Sequence, residues 1–244
     1  MFFRPRSDLA RTAGPDHHHR DIQGGAARAA VLGVSDGLVT NVSLILGVAG
    51  ANTSAGIVRL TGLAGLLAGA FSMAAGEYVS MRAQVELLER ELEMERVALR
   101  RAPEREHQEL VELYKSRGID PDVAGEMAGE LMRTPELALE THAREELGVN
   151  PQSLGSAPRA AAASAASFAL GAVVPLLPWF ITEGASAVVA SLVLAALAAL
   201  GIGFVLARFT GRSVAKTMLR QLAVTVAAAG VTFLVGKAVG RHIG

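Results

Sequence analysis

Five stretches almost free of charge dominate the chain: Val31 to Ala51, Leu60 to Met81, Ala160 to Thr182, Ala185 to Ala207, and a shorter one from Leu222 to Val235. At about 1.5 Å of rise per residue, some 20 residues cross a hydrocarbon core roughly 30 Å thick, so the first four runs read as membrane-spanning helices. The fifth reaches the same length when it is extended from Val214 or Ala215 through Val239, because Lys216, Arg220 and Lys237 can snorkel from its ends toward the headgroups. The expected fold is an all-α integral membrane protein with five transmembrane helices. Residues 1–30 lack the apolar core of a cleavable signal peptide, so insertion is expected to rely on the first span.

The formal net charge of zero conceals a partition. Residues 82–150 carry 10 Lys and Arg against 17 Asp and Glu, so 10 − 17 gives −7 there and leaves +7 for the rest. Lys and Arg in short loops mark the cytoplasmic side. Arg4, Arg6, Arg11, Arg20 and Arg28 precede span 1, and Arg208 and Arg212 follow span 4, which places the N-terminus and the acidic insert in the cytoplasm and the C-terminus opposite. Lys237 and Arg241 run against that pattern. The expected organisation is a cytoplasmic tail over 1–28, helices 1 and 2 over 29–81, a Glu-rich insert over 82–157, and helices 3 to 5 over 158–244. The insert reads as three helices, Ala83 to Arg101, Glu104 to Arg117, and Pro121 to Leu147 broken at Thr134-Pro135. No breaker lies between Met73 and Arg101, so the first of them should continue span 2 out of the bilayer.

Cysteine is absent, which excludes disulfides, thiolate metal sites and iron–sulfur clusters bound by this chain. No phosphate-cradling GxxxxGK[ST] loop is present, which argues against ATP-driven chemistry by this chain alone. The glycine pairs Gly65/Gly69 and Gly236/Gly240 have the small-xxx-small spacing that lets helices approach closely.

Asp36 lies inside span 1, and an ionisable residue at membrane depth is a functional candidate by default. As a mere helix cap it would leave about 15 residues, Gly37 to Ala51, too few to span. In span 2, Met73 offers a thioether, otherwise an adaptable packing group, and Glu77 stands one turn further on. A soft ligand beside a carboxylate favours a transition metal over magnesium or calcium. In the insert, Glu91, Glu95, Glu106, Glu109, Glu112, His142 and Glu146 belong to a rich set of carboxylates and imidazoles suited to Fe(II), Mn(II) or Zn(II). The interleaved arginines allow a plain solvated, salt-bridged face as the competing reading. Glu104 and His107 match the Glu-x-x-His spacing of di-iron bundles, but a single copy does not make a paired iron site, so no enzymatic activity is expected. His17, His18 and His19 form a short tract that could bind metal.

Together, Ser35-Asp-Gly-Leu-Val-Thr, Gly69-Ala-Phe-Ser-Met-Ala-Ala-Gly-Glu-Tyr-Val-Ser, Glu145-Glu-Leu-Gly, Pro175-Leu-Leu-Pro and Phe209-Thr-Gly resemble the vacuolar iron transporter family, from Arg28 to the C-terminus. The resemblance implies a homodimer of five-span subunits that moves Fe(II) or Mn(II) out of the cytosol in exchange for protons along the subunit interface. Zn(II) and Co(II) are further candidate ions, and no permanent cofactor or nucleic-acid partner is implied. It implies that Asp36 and Met73 are the intramembrane pair, that Glu95, Glu106, Glu109 and Glu146 are metal-domain carboxylates, and that His142 stands where plant members carry methionine. The sequence departs at Ala98, at Gly65 near the cytosolic side of span 2, and at Ala29, each in place of an acidic residue; Glu77 in the membrane and Glu91 or Glu112 in the insert are the candidate substitutes. A membrane-anchored sensor or sink that binds metal without moving it is the rival reading. Twenty Arg against three Lys point to a GC-rich bacterial genome and so to a bacterial inner membrane, with a vacuolar membrane as the alternative.

Overall fold

The computed structural model describes residues 25–151 and 155–243, and His17, His18 and His19 fall outside them. Eight α-helices follow in order: α1 Gly25–Gly50, α2 Ala55–Arg101, α3 Pro103–Ser116, α4 Pro121–Leu131, α5 Pro135–Glu145, α6 Ala157–Leu176, α7 Gly184–Thr210 and α8 Val214–Ile243. Among the described residues, five helices, α1, α2, α6, α7 and α8, are long and apolar enough to cross a membrane. The fifth span takes the extended form, since α8 runs as one helix from Val214 past Val239.

Helix α2 holds 47 residues without a break, a rod of about 70 Å, of which the far half lies beyond any bilayer. The helices that follow it start where proline and a cap dictate. Pro103, Pro121 and Pro135 each occupy a first-turn position, where the missing N–H costs nothing. Asp120 accepts from Asp122 N at 3.0 Å and Thr134 accepts from Leu137 N at 3.3 Å, so the segment from Pro121 onward is two helices separated at Thr134. Leu110, Val111 and Tyr114 of α3 bury against Ala124 and Ala128 of α4, giving the insert a small apolar core. Span 3 ends earlier as an α-helix than its apolar run suggests. After Leu176 the chain tightens into a 3₁₀ turn over Leu177–Phe180, with Pro178 in its first positions.

Helix α1 touches each of the other four long helices. The contacts are close because glycine makes them so. A Cβ on Gly37 would fall on the Phe168 carbonyl of α6, one on Gly171 on the Val34 carbonyl of α1, and one on Gly236 of α8 on the Gly47 carbonyl of α1. Such backbone-to-backbone approach replaces the hydrophobic drive that helices lack inside lipid. Asn41, fully buried on α1, adds a polar clamp by donating from Nδ2 to the Ala172 carbonyl at 2.6 Å. Gln221 of α8 donates to Ser35 of α1 at 2.6 Å, next to Asp36.

Gly236→Ala is expected to lower the thermal midpoint of the detergent-solubilised protein, by overpacking of about 1–3 kcal/mol. Gly201→Ala, whose added Cβ meets nothing within 4 Å, should leave it within about 0.5 kcal/mol of wild type or slightly raise it. Fluorescence-detected melting of the two variants side by side checks both.

Candidate metal cluster and intramembrane polar stripe

Glu95 on the extension of α2, Glu106 on α3 and His142 on α5 converge. Each offers a ligand atom, and these atoms all lie within 4.8 Å of one another. Glu106 is 2% exposed and His142 fully buried, so the group is not a surface accident. His142 Nδ1 lies 2.9 Å from the Ala138 carbonyl one turn back, an oxygen to which a ring N–H can donate. Nε2 is 3.3 Å from the Glu106 backbone carbonyl, on the cluster side. Glu95 Oε1 is buried with no hydrogen-bond partner, a costly state for a carboxylate unless a cation arrives.

The electrostatics agree. Burial first, then the Glu146 charge, push the Glu95 carboxyl above its usual range, and His142 opposes them. Burial likewise raises Glu146; His142 opposes, and Glu109 and Glu106 add to the rise. Glu95, Glu106, Glu109, Glu146 and His142 therefore sense one another as a single cluster. Two carboxylates and an imidazole are a donor set of the kind that suits a divalent transition ion.

Of the other insert residues, Glu112 shares a surface depression with Glu109, Glu146 and Arg105. It is exposed and turned to Lys115, whose ammonium is 2.7 Å away and holds its carboxyl below the usual range. Glu91 is half-buried on α2 and lies outside the three-residue group. Arg105, one of the interleaved arginines of the sequence, stands out through its ion pairs to Glu106 and Glu109.

In the spanning region, Asp36 is exposed and accepts from Thr40 at 3.1 Å. Leu32, Asp36, Thr40 and Leu44 recur every four residues and form one exposed stripe of α1. Met73 and Glu77 are half-buried on α2. The two helices are registered by Asn41 Oδ1 and Leu44 of α1, which face the bare backbone of Gly65. Counting from that contact, Asp36 lies about 8 Å and Met73 about 12 Å toward the insert, so the pair sits at similar depth. Gly65 itself lies eight residues nearer than Met73 to the Ala55 start of α2, the end away from the insert. Asn41 and Thr40 were not singled out in the sequence, although an Asn amid an apolar run is a legible signal.

Five helices long and apolar enough to cross a membrane, with an acidic helical insert between the second and third, define a polytopic membrane protein. The chain belongs to the VIT family, whose model matches residues 27–237. It is 34% identical over 217 residues to "Vacuolar iron transporter 1" of Eucalyptus grandis, covering 88% of this chain and 87% of that protein. It is 31% identical over 227 residues to "Vacuolar iron transporter 1" of Arabidopsis thaliana, covering 92% and 91%. A "Vacuolar iron transporter" of Acanthamoeba castellanii is 41% identical over 161 residues, 65% of this chain and 58% of that protein.

Two raised carboxylates give the cluster a pH dependence of definite sign. Their folded-state affinity for protons exceeds that of the unfolded chain, so the ion-free insert loses stability as pH climbs from below the ordinary carboxylate value through the raised ones. Metal and protons compete for the same oxygens, so Mn(II) binding should strengthen over that climb and release protons. Glu95→Gln is expected to stabilise the ion-free protein and to weaken Mn(II) binding at least about tenfold. Calorimetric titration at several pH values, beside melting curves without metal, reads both effects.

Proposed function

We propose that this protein exports Fe(II) or Mn(II) from the cytosol across a membrane in exchange for protons. The insert, on the cytoplasmic side, collects the ion, and Asp36 with Met73 passes it through. The observation that carries this reading is the buried Glu95, Glu106 and His142 group with its unpartnered oxygen, set in a family whose relatives are named vacuolar iron transporters. Imidazole and carboxylate together accept Fe(II), Mn(II), Zn(II) and Co(II), and availability decides among them. Glu109 and Glu146 widen the cluster, and Glu91 and Glu112 flank it as outer carboxylates. Glu77, nearer the insert than Met73 on the same helix, stands between the insert and the pair.

The working unit is a homodimer. An exposed carboxylate stripe on a spanning helix is expensive against lipid, and a second copy laid over Leu32, Asp36, Thr40 and Leu44 would bury it and enclose a route between subunits. Asp36 takes a proton as it gives up the ion, so the two fluxes are coupled without ATP. Loss of the carboxylate removes both the ligand and the proton carrier. The membrane is the inner membrane of a bacterium; a vacuolar membrane, the site in the names of the relatives, is the alternative.

Liposomes loaded with a metal-sensitive dye and carrying the purified protein test this. Fe(II) and Mn(II) influx should follow an imposed pH gradient and fall at least about 100-fold with Asp36→Ala, while metal binding by the insert is unchanged. Binding without flux under any gradient would leave a sensor or sink; flux that survives in Asp36→Ala would remove Asp36 from the route.

A further inference from the structure

The cluster already holds a cation. Arg105 Nη2 lies 3.0 Å from Glu106 Oε1, and its Nε lies 3.4 Å from Glu109 Oε1, so one guanidinium spans two carboxylates one turn apart. The other ion pairs described in the insert go elsewhere: Arg82 to Glu86, Arg96 and Arg100 to Glu93, Lys115 to Glu112, Arg117 to Glu145, Arg133 to Glu130, Arg144 to Glu140. The pair is lopsided. The Glu106 side chain is 2% exposed, whereas that of Arg105 is 67% exposed, so the guanidinium reaches in from water and can return there with little change in its own solvation.

We propose that Arg105 is the resident counter-cation of the cluster, held by Glu106 and Glu109 when no metal is bound and displaced by the arriving divalent ion. This rests on reading the cluster as the metal-receiving site. The exchange balances simply: the ion enters with two positive charges, the guanidinium leaves with one, still protonated, and no bond is made or broken in the side chain. The ion must break the arginine fork to gain Glu106, so Arg105 lowers the affinity of the site and keeps a bound ion releasable. It also covers the charge of the empty cluster, whose carboxylates would otherwise repel one another.

The test is Mn(II) binding to the full-length protein in detergent, with free Mn(II) read by electron paramagnetic resonance, for wild type, Arg105→Gln, Arg105→Lys and Glu106→Gln. Arg105→Gln should bind about three- to tenfold more tightly in the component that Glu106→Gln abolishes. That gain is opposite in sign to the loss that structural damage would cause. Arg105→Lys should fall between, because an ammonium is a point charge that cannot fork across two carboxylates. Unchanged or weaker binding by Arg105→Gln overturns the proposal, as does an Arg105→Lys variant identical to wild type, which would indicate plain charge repulsion. A wild type without Glu106-dependent binding would instead sink the metal reading of the cluster, and this proposal with it.

Discussion

From Ala55 to Arg101 no proline or loop interrupts the hydrogen-bond ladder of α2. The helix that carries Met73 and Glu77 in the membrane therefore carries Glu95 outside it. The separation from Met73 to Glu95 is 22 residues, about 33 Å along the axis. A continuous helix transmits rotation and tilt as a rigid body, so the position of the cluster relative to the intramembrane residues follows from the set of one element. Helices α3 and α5 are then laid against its outer half. Prolines and caps fix where each begins, and the apolar pair of faces on α3 and α4 fixes how they pack.

Helix α1 depends on the opposite kind of constraint. It has almost no polar bonds to its neighbours, and its place is set by how closely glycines let backbones approach. Gly37 against Phe168 and Gly47 against Gly236 lock α1 between α6 and α8. Lipid offers no hydrophobic gain for bringing helices together, so van der Waals contact at these points supplies the stability, with the Asn41 amide as the added polar link. The lock turns one side of α1 inward and leaves the stripe with Asp36 facing out. A carboxylate left outward at that depth is the feature for which a second subunit gives the simplest physical account.

Charge in the insert is unevenly paired. Arg82, Arg96, Arg100 and Arg133 pair with exposed glutamates, and such pairs contribute little to stability. Glu95 and Glu106 are treated differently: one has an oxygen without a partner and the other is buried beneath an exposed guanidinium. Fully satisfied carboxylates would be inert, and fully exposed ones would bind ions weakly. Partial burial with incomplete pairing raises the energy of such carboxylates, which a bound cation would lower.

The five spans, the unbroken exit of α2 and the starts of α3, α4 and α5 were legible in the sequence, because length, apolarity, proline and caps act locally. Asp36 was legible too, as a charge among uncharged neighbours. The cluster was legible only as a surplus: fifteen glutamates in the insert offered many candidate ligands, and helical spacing relates residues on one helix only. Glu95, Glu106 and His142 come from three helices, so which of them meet is decided by how α3 and α5 pack on α2. The same holds for Arg105, one of several interleaved arginines until packing set it over a buried Glu106. Sequence alone determined which segments are helices and which chemistry they carry, since backbone preference and hydropathy are properties of neighbouring residues. Only the tertiary structure decided which side chains share a site and which stay apart, since burial and charge interact through space across helices far apart in the chain.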